Sequence, residues 1–276
     1  MAAGSGRRLG LFRAFTLLGP TALLLGASPA AAVVFTTDGR QSVEDFAKAE
    51  KLDAAQLHRT YAASGLIQCG LAHGAGQLTL TDDVVTTAAH VFFDEKGQRR
   101  AKSCDFVVMQ NGHEVAVPVN LESIVAGSTD PYAVAAVHDW AVARLAHPIS
   151  DVVPYGLADT EKAEEPVEFV ARGHIDWGQA RRLSMERCHL HDQIEAGQEG
   201  TREFAFDCNT GDGASGGAVM VGDGPPRLGA VLVGWRSNKP FRAAPFSMTH
   251  YNFAVTVEGA FKKAVLAAAN KLVVTK

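Results

Sequence analysis

The chain has 276 residues, with 26 Lys plus Arg against 30 Asp plus Glu, a formal net charge of −4. At 47% hydrophobic and 20% charged residues it is neither a disordered nor a collagen-like polymer, and its length suffices for one large β domain or two small ones. The acidic balance argues against a general nucleic-acid binder, which needs a basic surplus to neutralise phosphates.

Residues 1–32 read as an export signal. Arg7, Arg8 and Arg13 precede the first acid, Asp38. An apolar stretch runs from Ala14 to Gly26, and Ser28-Pro29-Ala30-Ala31-Ala32 supplies the small residues of a cleavage site. The apolar run falls short of the roughly 20 residues a spanning helix needs, so a removed signal is expected rather than a membrane anchor. The Arg7-Arg8 pair resembles a twin-arginine signal, although the residues after the pair match poorly. The mature protein is expected to be secreted or periplasmic, without stable membrane association.

Residues 33–66 carry two helix-start signals. Ser42 with Asp45 makes a capping-box-like start, and Asp53 with Gln56 repeats it before Gly65. The segment is either a helical N-terminal extension or a removable pro-segment; both readings stay open.

From Leu66 the signals turn to β. Val84-Val85-Thr86-Thr87 is β-branched throughout. Phe106–Met109 runs into Asn111-Gly112 and then Val115-Ala116-Val117, which predicts a hairpin because both turn residues need positive φ. Further short apolar runs lie at Val167–Val170, Phe204–Phe206, Ala218–Val221, Leu228–Val233 and Phe253–Val257. Such spacing predicts an all-β barrel or sandwich. Residues 67–146 form a first β unit, 147–165 a Pro- and acid-containing linker, 166–257 a second β unit, and 258–276 a closing helix and tail. In that helix Phe261, Val265 and Leu266 share a face, with Lys262 and Lys263 off it.

The four cysteines, Cys69, Cys104, Cys188 and Cys208, all come after the signal. An even count in an exported chain favours disulfides, and four cysteines allow three connectivities. Cys69–Cys104 with Cys188–Cys208 is preferred, since each pair closes a loop within one half of the chain. Cys188-His189-Leu190-His191 offers zinc as a competitor, but no second close Cys pair exists and alternate strand residues face opposite ways. No metal and no cofactor are expected.

Three segments carry chemistry. They are Thr86-Thr87-Ala88-Ala89-His90, His138-Asp139-Trp140-Ala141-Val142-Ala143-Arg144-Leu145, and Gly211-Asp212-Gly213-Ala214-Ser215-Gly216-Gly217-Ala218. Acyl hydrolysis needs a hydroxyl, a base to take its proton, a carboxylate to hold that base, and backbone N–H groups aimed at the oxyanion. Each residue alone is ambiguous; the order His, Asp, Ser is one of the known orders of this triad. An α/β-hydrolase needs Ser, then acid, then His. After Ser215 the only Asp is Asp223 and the only His is His250, and the short stretch from Ser215 to Asp223 leaves no room for the helix that should follow the nucleophile. A non-enzymatic binding protein on the same fold is the alternative from another class.

These motifs resemble those of a trypsin-like (chymotrypsin-fold) serine peptidase of the bacterial secreted kind, in the style of the glutamyl-endopeptidase-like branch. Thr87-Ala88-Ala89-His90 matches T-A-A-H, Asp139-Trp140-Ala141-Val142-Ala143-Arg144-Leu145 is similar to D-I-A-L-L-x-L, and Gly213-Ala214-Ser215-Gly216-Gly217 matches G-x-S-G-G. The resemblance spans residues 66–257. It implies two packed antiparallel six-stranded β-barrels and a monomeric endopeptidase acting on polypeptides through an acyl-enzyme. It further implies His90 as base, Asp139 as orienting carboxylate, Ser215 as nucleophile, and the Gly213 and Ser215 N–H groups as oxyanion hole.

The chain departs from the digestive enzymes at Ala214, where those carry an Asp that pairs with a newly cut N-terminus, and at Val91, where they carry a Cys. Asn209 stands where the Arg- and Lys-cutting enzyme has an Asp, which disfavours a cationic side chain at the cleavage site. Thr210 is compatible with Glu specificity, but Leu232 or Val233 occupies the stretch where that branch uses a histidine. Gly234 is expected to leave the primary pocket open on its wall. Small or apolar side chains are equally compatible.

Overall fold

The computed structural model describes residues 32–158, 166–177, 181–222, 224–239 and 242–270. The export-signal reading lies outside these residues apart from Ala32. Among the described residues no helix is long and apolar enough to cross a membrane.

The β-rich sequence resolves into twelve principal strands. The first six are β1 (Ser64–Cys69), β2 (Ala72–Leu78), β3 (Val84–Thr87), β4 (Asp105–Gln110), β5 (His113–Ala126) and β6 (Ala141–Leu145). They close an antiparallel barrel in the order β1-β2-β3-β6-β5-β4. The second six are β7 (Pro166–Ala171), β8 (Ser184–Ala196), β9 (Arg202–Phe206), β10 (Ala218–Val221), β11 (Arg227–Ser237) and β12 (His250–Thr256). Their order, β7-β8-β9-β12-β11-β10, closes through the β10–β7 pairing and repeats that of the first barrel. The expected hairpin joins β4 to β5. Asn111 (φ 50) and Gly112 (φ 81) both take the left-handed backbone that this turn requires.

Each barrel buries its own apolar set. Ile67, Leu78, Phe106 and Val142 fill the first; Phe169, Leu190, Phe206 and Val219 fill the second. The preferred disulfides are present, Cys69–Cys104 in the first barrel and Cys188–Cys208 in the second. Cys188 therefore has no thiolate to offer a metal. The described part of the linker stretch, residues 147–158, is packed: Ile149, Val152 and Tyr155 are buried, and Gly156–Leu157 pairs in parallel with β11.

The N-terminal extension is a strap that ties the barrels together. Ala32–Val33 pairs with Thr210–Gly211, and Gln41–Ser42 adds an antiparallel edge to β8. The chain then forms α1 (Val43–Glu50), where the Ser42 hydroxyl accepts from the Asp45 N–H, and α2 (Ala54–Thr60), where the Asp53 carboxylate accepts from the Ala55 N–H. Tyr61, just past α2, donates to Glu168 of β7 before the chain enters β1 at Ser64.

The strap is pinned by a buried guanidinium. The Arg40 side chain is only 3% exposed and binds Asp38 and Asp176 bidentately. Its Nη1 also lies 3.2 Å from His174 Nδ1. An arginine only donates, so Nδ1 accepts and the imidazole is neutral. Burial, reinforced by the adjacent Arg40 charge, pushes His174 down to about 3. Burial likewise pushes the neighbouring Glu186 up to about 7, against the hydrogen bonds it accepts from Asn209.

At the other end of the chain, α3 (Gly259–Asn270) returns to the first barrel. Phe261 and Val265 are buried, and the Phe261 ring stacks on Trp140 at 4.9 Å between centroids. Leu266, expected on the same face, is instead 42% exposed. The packed face of α3 combines Phe261 and Val265 with Ala260, Ala264 and Ala268.

Phe261→Ala is expected to destabilise the protein by about 3–5 kcal/mol, the usual cost of truncating a buried Phe, in urea unfolding. The His174 cluster predicts an acid limb. Below the ordinary histidine value of 6.5 the unfolded chain takes a proton that the folded site refuses, so stability falls as pH drops from 6.5 toward 3. Glu186 acts oppositely, adding stability as pH falls from about 7 to its ordinary 4.5. His174→Asn keeps an acceptor for Arg40 beside Asp38 and Asp176. It should lose less stability than wild type between pH 6 and 4, measured by urea unfolding at fixed pH values; an identical loss would remove His174 from this role.

Candidate active site

The site is assembled at the seam of the two barrels, on the loops that leave their strands. β3 ends at Thr87, and the chain turns into a short 3-10 helix, Ala89–Val91, that presents His90. Another 3-10 turn, Ala136–His138, presents Asp139 just before β6. β3 and β6 are hydrogen-bonded neighbours, so the two side chains leave adjacent strand ends. Asp139 Oδ1 accepts from the His90 backbone N–H at 2.9 Å, and Oδ2 lies 2.7 Å from His90 Nδ1. An ionised carboxylate only accepts, so the proton sits on Nδ1 and the lone pair on Nε2. The two side chains are 17% and 10% exposed, dry enough to strengthen the pairing yet open on one side.

Ser215 comes from the second barrel, in the loop before β10. This loop is locked to the first barrel: the Ala75 N–H donates to the Ser215 carbonyl at 2.7 Å. Gly216 has φ +85, and a Cβ there would run into Thr87 Oγ1 and the Ala75 carbonyl. Gly217 and Leu232 complete the loop's anchorage, with Leu232 N–H donating to the Gly217 carbonyl and Gly216 N–H to the Leu232 carbonyl. His90, Asp139 and Ser215 line one cleft of about 490 Å³.

The peptide between Asp212 and Gly213 is held in a defined orientation. The Ile175 N–H donates to the Asp212 carbonyl at 2.9 Å. The described chain has no cis peptide bonds, so the Gly213 N–H points opposite to that carbonyl. Gly213 itself has φ +90, and its Cβ would meet the Gly173 carbonyl and, at 2.6 Å, His73 Nε2. The Ile175–Trp177 turn is in turn fixed by the Asp176–Arg40 pairing.

The residues expected to touch substrate divide. Thr210, Leu232 and Gly234 line the cleft. Asn209 does not: it is 2% exposed, its Oδ1 accepts from the Phe35 N–H, and its Nδ2 and backbone N–H donate to Glu186. Its amide serves the N-terminal strap. Beside Gly234, Phe253 Cζ lies 2.7 Å from where a Cβ at position 234 would be. Tyr132, Trp235, Arg236 and Phe253 also line the cleft. No motif marks them, because they reach it only through loop paths and strand register.

The family model for Trypsin, described as "Trypsin", matches residues 53–254. No curated protein sequence matches the chain. Among solved structures, a Glu endopeptidase in complex with MPD superposes with a TM-score of 0.65 at 14% identity, covering 86% of this chain and 100% of its own. A thermostable serine protease AL20 from an extremophilic microorganism gives 0.53 at 13% identity, covering 76% and 97%. Protease Anisep from Arthrobacter nicotinovorans gives 0.52 at 15% identity, covering 75% and 95%. These likenesses carry the two-barrel fold, the family match covers both barrels up to β12, and the chain belongs to the trypsin family of serine endopeptidases.

Proposed function

We propose that the protein is an exported endopeptidase that hydrolyses peptide bonds through a His90–Asp139–Ser215 triad and an acyl-enzyme. The observation that carries this reading is the double hydrogen bond of Asp139 to the His90 backbone and ring, in the cleft that Ser215 also lines. The two disulfides favour an oxidising compartment.

In this mechanism His90 Nε2 takes the Ser215 proton as Oγ attacks the scissile carbonyl carbon. Asp139 fixes the tautomer and stabilises the imidazolium. The carbonyl π pair moves onto oxygen, and the Gly213 and Ser215 N–H groups receive the resulting oxyanion. The tie from Ile175 to the Asp212 carbonyl favours that role, since it fixes the orientation of the whole peptide and so holds the Gly213 N–H on the side away from Ile175. Collapse of the tetrahedral species breaks the C–N bond, and His90 returns the proton to the leaving amine. Water, deprotonated by His90, then attacks the ester; its collapse frees the acid and restores the Ser215 hydroxyl. Thr210, Leu232 and Gly234 flank the substrate chain on the wall beside Ser215.

A fluorophosphonate is expected to label the purified exported protein at Ser215, and Ser215→Ala to lose the label. His90→Ala should fold normally and lower turnover by about 10⁴-fold or more. An unlabelled wild type would replace the peptidase reading with that of a binding protein on the same fold. Ile175→Pro removes the N–H that holds the Asp212 carbonyl, at a first 3-10 position where proline's φ is suitable. It should reduce kcat by about 10- to 100-fold with little change in KM. An unchanged kcat in the folded variant would separate this hydrogen bond from catalysis.

A further inference from the structure

Thr210, Gly211 and Asp212 line the cleft beside Ser215 together with Val233 and Gly234, and the peptidase reading puts the side chain preceding the cut bond in the recess between these two segments. A glycine on such a wall ordinarily leaves depth for a large side chain. Here the β11–β12 register shifts between Leu232 and Gly234, and the shift sets Gly234 directly opposite Phe253. A Cβ built on Gly234 would meet Phe253 Cζ at 2.7 Å, Cε1 at 3.2 Å and Cε2 at 3.3 Å. The ring therefore takes the space on the cleft wall that a side chain at position 234 would take. Phe253 lines the cleft yet is only 8% exposed.

The ring is not free to swing aside. The Arg236 guanidinium lies over its face, 4.2 Å from the centroid. Arg236 is held there by a hydrogen bond from its Nη1 to the Tyr251 hydroxyl at 3.0 Å and by an ion pair with Glu203, whose side chain is fully buried. Moving the ring outward displaces Arg236 and strands the Glu203 carboxylate without its cation, a costly arrangement in a dry site. Burial already raises the Glu203 carboxyl above its ordinary value, against the favourable pull of Arg236. Because Arg236 is committed to Glu203 and Tyr251, it is not an unpaired cation waiting for an acidic substrate side chain.

We infer that Phe253, clamped by Arg236, closes the primary side-chain recess and restricts cleavage to bonds that come directly after glycine, alanine or serine. The inference rests on the peptidase reading of Ser215. Only a hydrogen, a methyl or a hydroxymethyl group fits beside the ring tip without driving it into Arg236.

The test uses the purified exported protein and matched peptides that differ only in the residue before the scissile bond. Wild type is expected to cleave after Ala at least 10-fold faster in kcat/KM than after Leu, Phe or Glu. Phe253→Ala should raise the Leu and Phe values at least 10-fold relative to Ala. Comparable wild-type rates for small and large residues, or a preference for Glu, would overturn the plug, and so would a folded Phe253→Ala variant with the wild-type profile. Should that variant not fold, the wild type decides alone, through its rates of inactivation by peptidyl phosphonates bearing an alanine-like or a phenylalanine-like group; the plug requires the former to be at least 10-fold faster. Fluorophosphonate labelling separates the two layers. A labelled enzyme without small-residue preference sinks the plug and leaves the peptidase standing, whereas an unlabelled one sinks both.

Discussion

The two barrels meet through the backbone around Ser215, and the site depends on that contact. The Ser215 carbonyl takes the Ala75 N–H from β2, and Gly216 lies against Thr87 and the Ala75 carbonyl at a distance that no side chain tolerates. Thr87 Oγ1 donates to that same Ala75 carbonyl at 2.7 Å, so the strand that delivers His90 and the loop that delivers Ser215 share one anchor. His90 and Asp139 leave neighbouring ends of β3 and β6 in the first barrel, and the Thr201 hydroxyl of the second barrel donates to the Val137 carbonyl in the turn that presents Asp139. The seam brings the second barrel's hydroxyl to them. Trp140, next to Asp139, is backed by Phe261, so α3 supports the carboxylate turn from behind.

A second constraint concerns the loop before Ser215. The digestive relatives of this family organise that loop with an ion pair one residue before the serine; here that residue is Ala214, fully buried and unable to pair. A buried ion pair exists nearby with a different origin. Arg40 arrives on the strap and grips Asp176, whose turn holds the Asp212 carbonyl through Ile175. The cation is the side chain of Arg40 in a folded segment that pairs with the second barrel. Gly211 is packed so tightly against Asp176 and Arg40 that a side chain there would collide with both. The energetic logic is that of any buried ion pair: removing one partner strands the others in a dry site, so the strap and the loop stand or fall together.

How legible the structure is in the sequence varies by element. The three short motifs stand out because hydrolysis restricts residue types at a few positions, and because glycines are forced where backbone meets backbone. The hairpin at Asn111-Gly112 and the caps at Ser42 and Asp53 are legible because they are local: a few consecutive residues hold all the atoms involved. The two disulfides agree with loop arithmetic. Asn209 reads as a pocket residue from its offset to Ser215, yet its amide faces Phe35 and Glu186, partners 174 and 23 residues away. Gly234 reads as an open wall, and only the register of β11 on β12 reveals that Phe253 lies opposite it.

The sequence by itself therefore determined the all-β class, the helix starts at Ser42 and Asp53, the hairpin and the identity of the His, Asp and Ser candidates, since each rests on local backbone preference or on chemistry that few residues can perform. The tertiary structure alone decided where Arg40 lands, which way the Asp212–Gly213 peptide faces and that Phe253 lies opposite Gly234. Those depend on a one-residue slip between strands and on pairings between distant segments, and neither leaves a trace in residue spacing.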